Sequence, residues 1–376
     1  MATGEGHARG RKRLLLINEF SGAIGDLGTF LPHVLAAITV VGLNPTSVLA
    51  GFGLFYLFSG WFYGIPMAVQ PMKAASAAVL VQEMTPAEVA AGGILIGAVL
   101  LLLGMTGLID KLAKITPAGV TGGIQVGLGL SLSTLGLKMV GQDPWVGWPV
   151  LIGMLPLLTS RRFPASIFAL VAGTILGFLM HPEMSFPHLS LGPEVPELLL
   201  PPLAEFKKGF FMVALPQIPL TLTNAILVTA ALSAELYGSR AERVTEKNLS
   251  LTMGIGNLLA APLGGYMMCH GSGGVAAHYR FGGRTRLTPF IIGSILILLG
   301  IILGSDGIRL LRLIPEAVLG GLLFYSGVDL ALASKNIREK NELFLVFTVA
   351  ALALAINPAV AFLAGLIVGK CNGGQA

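Results

Sequence analysis

Apolar residues fill this chain in long blocks, and the breaks between blocks set its organisation. Runs such as 92–103, 288–304 and 343–356 contain no charged residue. A bilayer core of roughly 30 Å asks for about 20 predominantly apolar residues per spanning helix. Reading these runs against Gly, Pro and charge breakers predicts fourteen segments, some too short to span alone. They run over 17–41, 45–63, 66–82, 87–109, 117–139, 145–159, 164–181, 209–233, 247–263, 265–280, 287–304, 314–332, 342–356 and 358–370. The expected fold class is an all-α polytopic membrane protein.

Composition agrees with that pattern. Hydrophobic residues make up 54% of the chain and charged residues 11%, with a mean hydropathy of +0.80. Soluble domains carry about 25% charged residues, so an ordinary water-facing surface is excluded. The 50 glycines and 22 prolines would disrupt soluble helices but permit close packing and broken helices in a membrane. Two cysteines, Cys269 and Cys371, make no disulfide framework. Arg9, Arg11, Lys12 and Arg13 precede the first apolar stretch as in a signal peptide. That stretch holds Glu19 and Asp26 and lacks a small-residue cleavage site, so it reads as a retained helix. The net charge of +5 could suggest nucleic acid, but its placement is topological. With a cytoplasmic N-terminus, eighteen of the 24 Lys and Arg fall on inside loops or termini, among them Lys111, Lys114, Arg161, Arg162, Arg240, Arg243 and Lys247. Lys138, Lys207, Lys208, Arg309 and Arg312 would lie outside, and Lys73 falls inside a segment. That is the positive-inside asymmetry. It places both termini in the cytoplasm, with the plasma (inner) membrane as the expected location and the lipid bilayer, not nucleic acid, as partner. The expected divisions are a tail over 1–13, segments 1–7 over 14–181, an external loop over 182–208 and segments 8–14 over 209–371. The loop carries Glu183, Glu194, Glu197 and Glu205.

A weak internal repeat joins the two halves. Pro117-Ala-Gly-Val120-Thr-Gly122-Gly123 resembles Pro315-Glu-Ala-Val318-Leu-Gly320-Gly321 at an offset of 198 residues, and Gly129 matches Gly327. Seven segments per half is an odd number, so the halves are inverted in the membrane (7+7), as in alternating-access transporters.

The third segment of each half carries the chemistry. In the first, Pro66 and Pro71 bracket a short extended piece before an Ala-rich stretch, since the residue before proline is pushed from helical geometry and proline suits a first helical turn. In the second, Gly271 to Gly274 lets the backbone approach a ligand closely and then open into a helix. Both segments 3 and 10 are therefore expected to be short strands followed by half-helices, with Lys73 opposite Cys269–Gly271. A helix start exposes unpaired N–H groups and about half a positive charge, so two facing starts make a site for a small anion. Lys73 adds a full charge where insertion scales place a cost of at least about 2.5–3.5 kcal/mol. It either serves the site or, structurally, snorkels or pairs with Asp26 or Glu19. Asp26, placed mid-helix in segment 1, is a proton carrier, a counter-charge to Lys73 or a structural acceptor. Gln217, between Pro216 and Pro219, reads as a site residue, and Asn224 as a helix–helix contact. Cys269 and His270 have no second cluster at ligand spacing, so no metal is expected, nor any cofactor. Nothing pairs a nucleophile with a base, which argues against an intramembrane enzyme. An anion channel would need a continuous pathway rather than paired broken helices.

Two stretches resemble the molybdate transporter family within the sulfate-permease superfamily. They are Pro66-Met-Ala68-Val-Gln70-Pro71-Met72-Lys73 and Cys269-His270-Gly271-Ser-Gly273-Gly274-Val-Ala276-Ala-His278-Tyr279-Arg-Phe281-Gly282-Gly-Arg284. The opening from Asn18 to Pro32 is similar to the family's first helix. Ala68 and Met267 stand where proline is usual, and His278 where glutamine is common. The resemblance implies a core domain of segments 1–4 and 8–11 and a gate domain of segments 5–7 and 12–14, with substrate between the half-helices. The expected substrate is a small tetrahedral oxyanion, molybdate first, with tungstate or sulfate the alternatives; a nucleobase fits Lys73 poorly. The expected binding set is Lys73, Gln70, Met72, His270, Gly271, Ser272, Gly273, Gln217 and Thr29. Asp26 and His270 are the candidates for coupling to protons. The sequence leaves the oligomeric state open, a homodimer included.

Overall fold

The computed structural model describes residues 16–109, 117–158, 165–182, 185–186, 195–196, 198–304, 306, 309, 313–332 and 334–373. The basic residues at 9–13, 111, 114, 161, 162 and 312, and Glu183, Glu194 and Glu197, lie outside that set. So do the side chains of Lys370 and Cys371.

Each of the fourteen expected segments contains described helix. Segment 1 is α1 (Leu16–Gly25) and α2 (Leu27–Thr39), which meet at a bend of 53°. Segment 2 is α3 (Pro45–Tyr63), segment 3 is β1 (Gln70–Pro71) with α4 (Lys73–Val81), and segment 4 is α5 (Pro86–Thr106). Segments 5–7 are α6 (Ala118–Gln142), α7 (Pro144–Met154) and α8 (Ala165–Met180). Segment 8 is α9, continuous over Glu205–Ala241. It starts earlier than expected, so Lys207 and Lys208 lie on its first turn rather than in the loop. Segments 9–11 are α10 (Glu246–Ala260), β2 (Met268–Cys269) with α11 (Ser272–Arg280), and α12 (Leu287–Leu303). The last three are α13 (Glu316–Leu332), α14 (Lys340–Ala355) and α15 (Pro358–Gly373). Among the described residues, α3, α5, α6 and α9 are long and apolar enough to cross a bilayer alone, and the bent pair α1–α2 adds a fifth span.

The packing carries the two-fold relation between halves. Helix α3 runs against α12, and its repeat partner α10 runs against α5, the partner of α12. Glycine makes both contacts close. A Cβ on Gly53 would stand 2.7 Å from the Gly293 carbonyl oxygen and one on Gly293 2.8 Å from that of Gly53. Gly97 and Gly254 repeat this reciprocal approach in the other pair. Helices α6 and α13, equivalent to one another, cross where Gly129 and Gly327 each face the other's carbonyl. Strand β1 pairs antiparallel with β2, Gln70 opposite Cys269 and Pro71 opposite Met268. This is the 7+7 inverted-repeat architecture.

Buried apolar side chains separate into two clusters. One draws on α1–α5, α9–α12 and the two strands, with Phe30, Phe52, Ile96, Val213 and Met253 among its members. The other is built from α6–α8 and α13–α15, and reaches α2 through Leu35, α4 through Ala74, Ala77 and Leu80, and α9 through Leu220. Among the described residues, a single side-chain hydrogen bond joins the two sets of helices: His33 Nε2 and Ser326 Oγ lie 2.7 Å apart.

Candidate functional site

Helices α4 and α11 both start inside the protein, directly after the paired strands. Their caps, Met72 and Gly271, are extended and supply no side-chain cap. Pro71 brings no N–H to this junction. Asn257 fixes the outer edge of β2: its Nδ2 donates to the Met268 carbonyl at 2.7 Å, and its Oδ1 accepts from the Met268 N–H at 2.9 Å. Lys73 and Ser272 are the first helical residues, so Lys73 is matched by Ser272, one place beyond the stretch expected from the offset.

A narrow cleft lies at the two starts, bordered by Gln70, Lys73, Gln217, Asn224, Cys269 and Gly271 among others. Its volume is only about 10 Å³. Lys73 makes no ion pair or hydrogen bond among the described residues. The structural pairings with Glu19 and Asp26 are not formed. Glu19 instead accepts from the N–H groups of Arg284 and Thr285 and, at 2.5 Å, from the Thr288 hydroxyl.

Asp26 is not mid-helix. It is the residue at which segment 1 breaks, at the N-cap position of α2 but without a side-chain cap bond, its carboxylate turned to the strands. Gln70 Nε2 donates to Asp26 Oδ1 at 2.5 Å and to Thr29 Oγ1 at 2.6 Å, and Thr29 Oγ1 donates to the same carboxylate oxygen at 2.6 Å. Helix α11 closes over this group at Gly274, where a Cβ would sit 2.7 Å from Asp26 Oδ2 and 2.8 Å from Gln70 Nε2. Thr29 thus reaches the cleft through Gln70.

Helix α9 carries the other wall. It loosens into π-helical turns over Gly209–Ala214 and Thr221–Val228, on either side of Pro216 and Pro219. Such turns mark inserted or displaced hydrogen bonds in a helix. Gln217 Oε1 accepts the Ala75 N–H at 2.8 Å, so this side chain satisfies one donor of the α4 first turn, and its Nε2 donates to Thr221. Asn224 does more than join helices. It borders the cleft and accepts from the Ser272 hydroxyl at 2.6 Å. The repeat could have found it, since an offset of 198 places Asn224 on Asp26.

Of the remaining expected residues, Gly273 has open space where a Cβ would stand, whereas a Cβ on Gly271 would collide with the Gln70 carbonyl oxygen. Met72 is buried in the larger apolar cluster. The His270 ring lies behind β2, between Phe55 and Tyr63, with Nδ1 2.9 Å from the Ala68 carbonyl and Nε2 3.1 Å from Thr252 Oγ1. His33 joins the α4 face from α2, its Nδ1 2.8 Å from Ser76 Oγ, which also accepts from Tyr266. Nothing in the local sequence marked that residue.

A lysine without an ion pair among the described residues and the starts of two half-helices therefore border one cleft, where the two inverted halves join. That construction belongs to secondary active anion transporters working by alternating access. Comparison with known proteins agrees. A family model described as "Molybdate transporter of MFS superfamily" matches residues 18–132 and 209–330. Molybdate transporter 2 of Arabidopsis thaliana is 32% identical over 95% of this chain and 88% of its own, and molybdate transporter 1 of the same plant is 28% identical over 92% and 86%. Among solved structures, the transmembrane domain of a cyanobacterial bicarbonate transporter, BicA, superposes with a TM-score of 0.70 at 20% identity, covering 94% of this chain and 97% of that one. The chain belongs to the molybdate transporter family.

Proposed function

We propose that this protein carries molybdate across its membrane, binding the anion between the starts of α4 and α11. The observation that carries the proposal is Lys73: an ammonium without an ion-pair partner among the described residues, at the first turn of one half-helix and bordering the same cleft as the start of the other. A tetrahedral dianion supplies both the missing counter-charge and acceptors for the backbone donors. Gln217 and Asn224 hold the wall opposite, and tungstate, of the same charge and shape, is expected to bind as well.

In this reading the α1–α5 and α9–α12 unit is the core and the α6–α8 and α13–α15 unit the gate. The two apolar clusters, meeting over a mostly apolar surface, support a movement of one against the other. The arginines after α9 and α11 support a cytoplasmic placement of those ends in the plasma membrane, with the protein acting as monomer or homodimer. A dianion entering a negative interior moves uphill by roughly 2.3 kcal/mol per charge per 100 mV. Co-transported protons offset that cost, and Asp26 is the intramembrane acid tied to the cleft through Gln70.

Flux measurements on purified protein in liposomes test the assignment. Molybdate uptake should saturate, accelerate with molybdate preloaded inside, and be competed by tungstate more strongly than by sulfate, with uracil inert. Uptake linear in concentration and indifferent to preloading would contradict a carrier. Stronger competition by sulfate would make sulfate the substrate.

A further inference from the structure

The Asp26 carboxylate has a neighbour that the oxyanion site does not use. His278 lies on the inner face of α11, one turn beyond Gly274, the residue that closes over Asp26. Its side chain is fully buried. Nδ1 stands 2.7 Å from the Gly22 carbonyl, which can only accept, so this nitrogen carries a proton. Nε2 is then the ring's lone-pair nitrogen in the neutral form, and it has no hydrogen-bond partner among the described residues. A buried imidazole nitrogen without a partner is rare enough to need a reason. Gly22 precedes Asp26 by one turn of the α1 side of the break, so imidazole and carboxylate occupy neighbouring levels of the same α1–α11 contact. Tyr56 of α3 touches both, its hydroxyl 3.5 Å from Asp26 Oδ2 and its ring 6.2 Å from that of His278.

We infer that Asp26 and His278 together form a proton-binding site, occupied by one proton when the oxyanion is bound and reporting that proton to the cleft through Gln70. The inference rests on the proposed oxyanion site and adds its coupling partner. The balance is simple. With no added proton the pair is carboxylate and neutral imidazole, net charge −1. One proton taken from solution, on Asp26 or on His278 Nε2, brings the pair to zero. An anion at Lys73 favours the neutral pair, because a negative charge next to Gln70 is removed. In the other direction, neutralising Asp26 weakens the hold of its carboxylate on Gln70 Nε2 and leaves that amide free to donate towards the cleft. Proton and oxyanion thus strengthen each other's binding by the same factor. The other ionisable groups around the pair are Lys73 from α4, Tyr56 from α3 and the Cys269 thiol from β2. Glu19 on α1 is already held by Arg284, Thr285 and Thr288. His270, by contrast, has both ring nitrogens occupied by protein groups, which makes His278 the better partner for Asp26.

Calorimetric titration of molybdate into the purified full chain, repeated in buffers of different ionisation enthalpy, counts protons taken up on binding. Uptake approaching one proton per molybdate is expected, with the Kd rising by up to about tenfold per pH unit across the range where uptake occurs. In His278→Gln, whose amide can still donate to the Gly22 carbonyl, and in Asp26→Asn, proton uptake should fall towards zero and the pH dependence of Kd should flatten. Wild-type binding without proton uptake would overturn this inference while leaving the oxyanion site standing. So would unchanged uptake in His278→Gln. Failure of the wild type to bind molybdate or sulfate would overturn both.

Discussion

A lysine on the first turn of a half-helix opposes the helix dipole and resists burial in a membrane, and both costs vanish only when an anion lies beside it. The residues around Lys73 divide by whether they hold the backbone or leave it open. Gln217 holds it: its bond to the Ala75 N–H should make Gln217→Ala less stable by about 1 kcal/mol, read as a lower melting temperature in detergent. An unchanged melting temperature would show that water serves that donor equally well. Gly273 leaves the backbone open. A valine there meets no protein atom at its Cβ but shields the first-turn N–H groups. We expect Gly273→Val to reach the membrane at wild-type level and to lose molybdate uptake by about tenfold, the contribution of one charge-assisted hydrogen bond of roughly 1.5 kcal/mol. Wild-type uptake would remove the backbone donors from the site. Gly271 is a poorer probe, because its side chain would also displace Gln70.

Among the elements, those whose breaks are written in Pro and Gly were legible in the sequence. Pro71 and the run Gly271–Gly274 mark the strand-to-helix junctions because those residues restrict or release φ directly, and the junctions fall within a residue or two of expectation. The break at Asp26 was not legible. Segment 1 is continuous in its apolar content, and the carboxylate at the bend engages Gln70, a partner that tertiary structure alone brings near, as well as the local Thr29. The π-helical turns of α9 were only half legible: Pro216 and Pro219 mark a disturbed helix, but not the turns on either side of them. Asn257 is a third case: nothing in the sequence singles it out, yet it braces β2 with two hydrogen bonds. Asn257→Ala should leave the helices inserted but let β2 drift, weakening molybdate binding more than thermal stability. Equal losses in both would make Asn257 a packing residue only.

For the whole molecule, the inverted repeat was readable because Gly129 and Gly327, matched in sequence, meet each other in space. The contact between the two helix sets was not readable, since among the described residues it rests on apolar faces of no special composition and on one side-chain bond, His33 to Ser326. That bond ties the α4 side to α13 through Ser76. Ser326→Ala should accelerate molybdate exchange by up to about fivefold, the effect of losing a hydrogen bond of roughly 1 kcal/mol from the resting arrangement; an unchanged rate would mean that this contact does not limit the movement. The two half-helices and α9 meet at one cleft and one ammonium, Lys73. Titrating molybdate into purified wild-type protein and into Lys73→Ala by calorimetry tests its role most directly. Saturable binding by the wild type, with affinity at least about tenfold weaker or lost in a folded Lys73→Ala protein, is the predicted result. Equal affinity in the two proteins would contradict it.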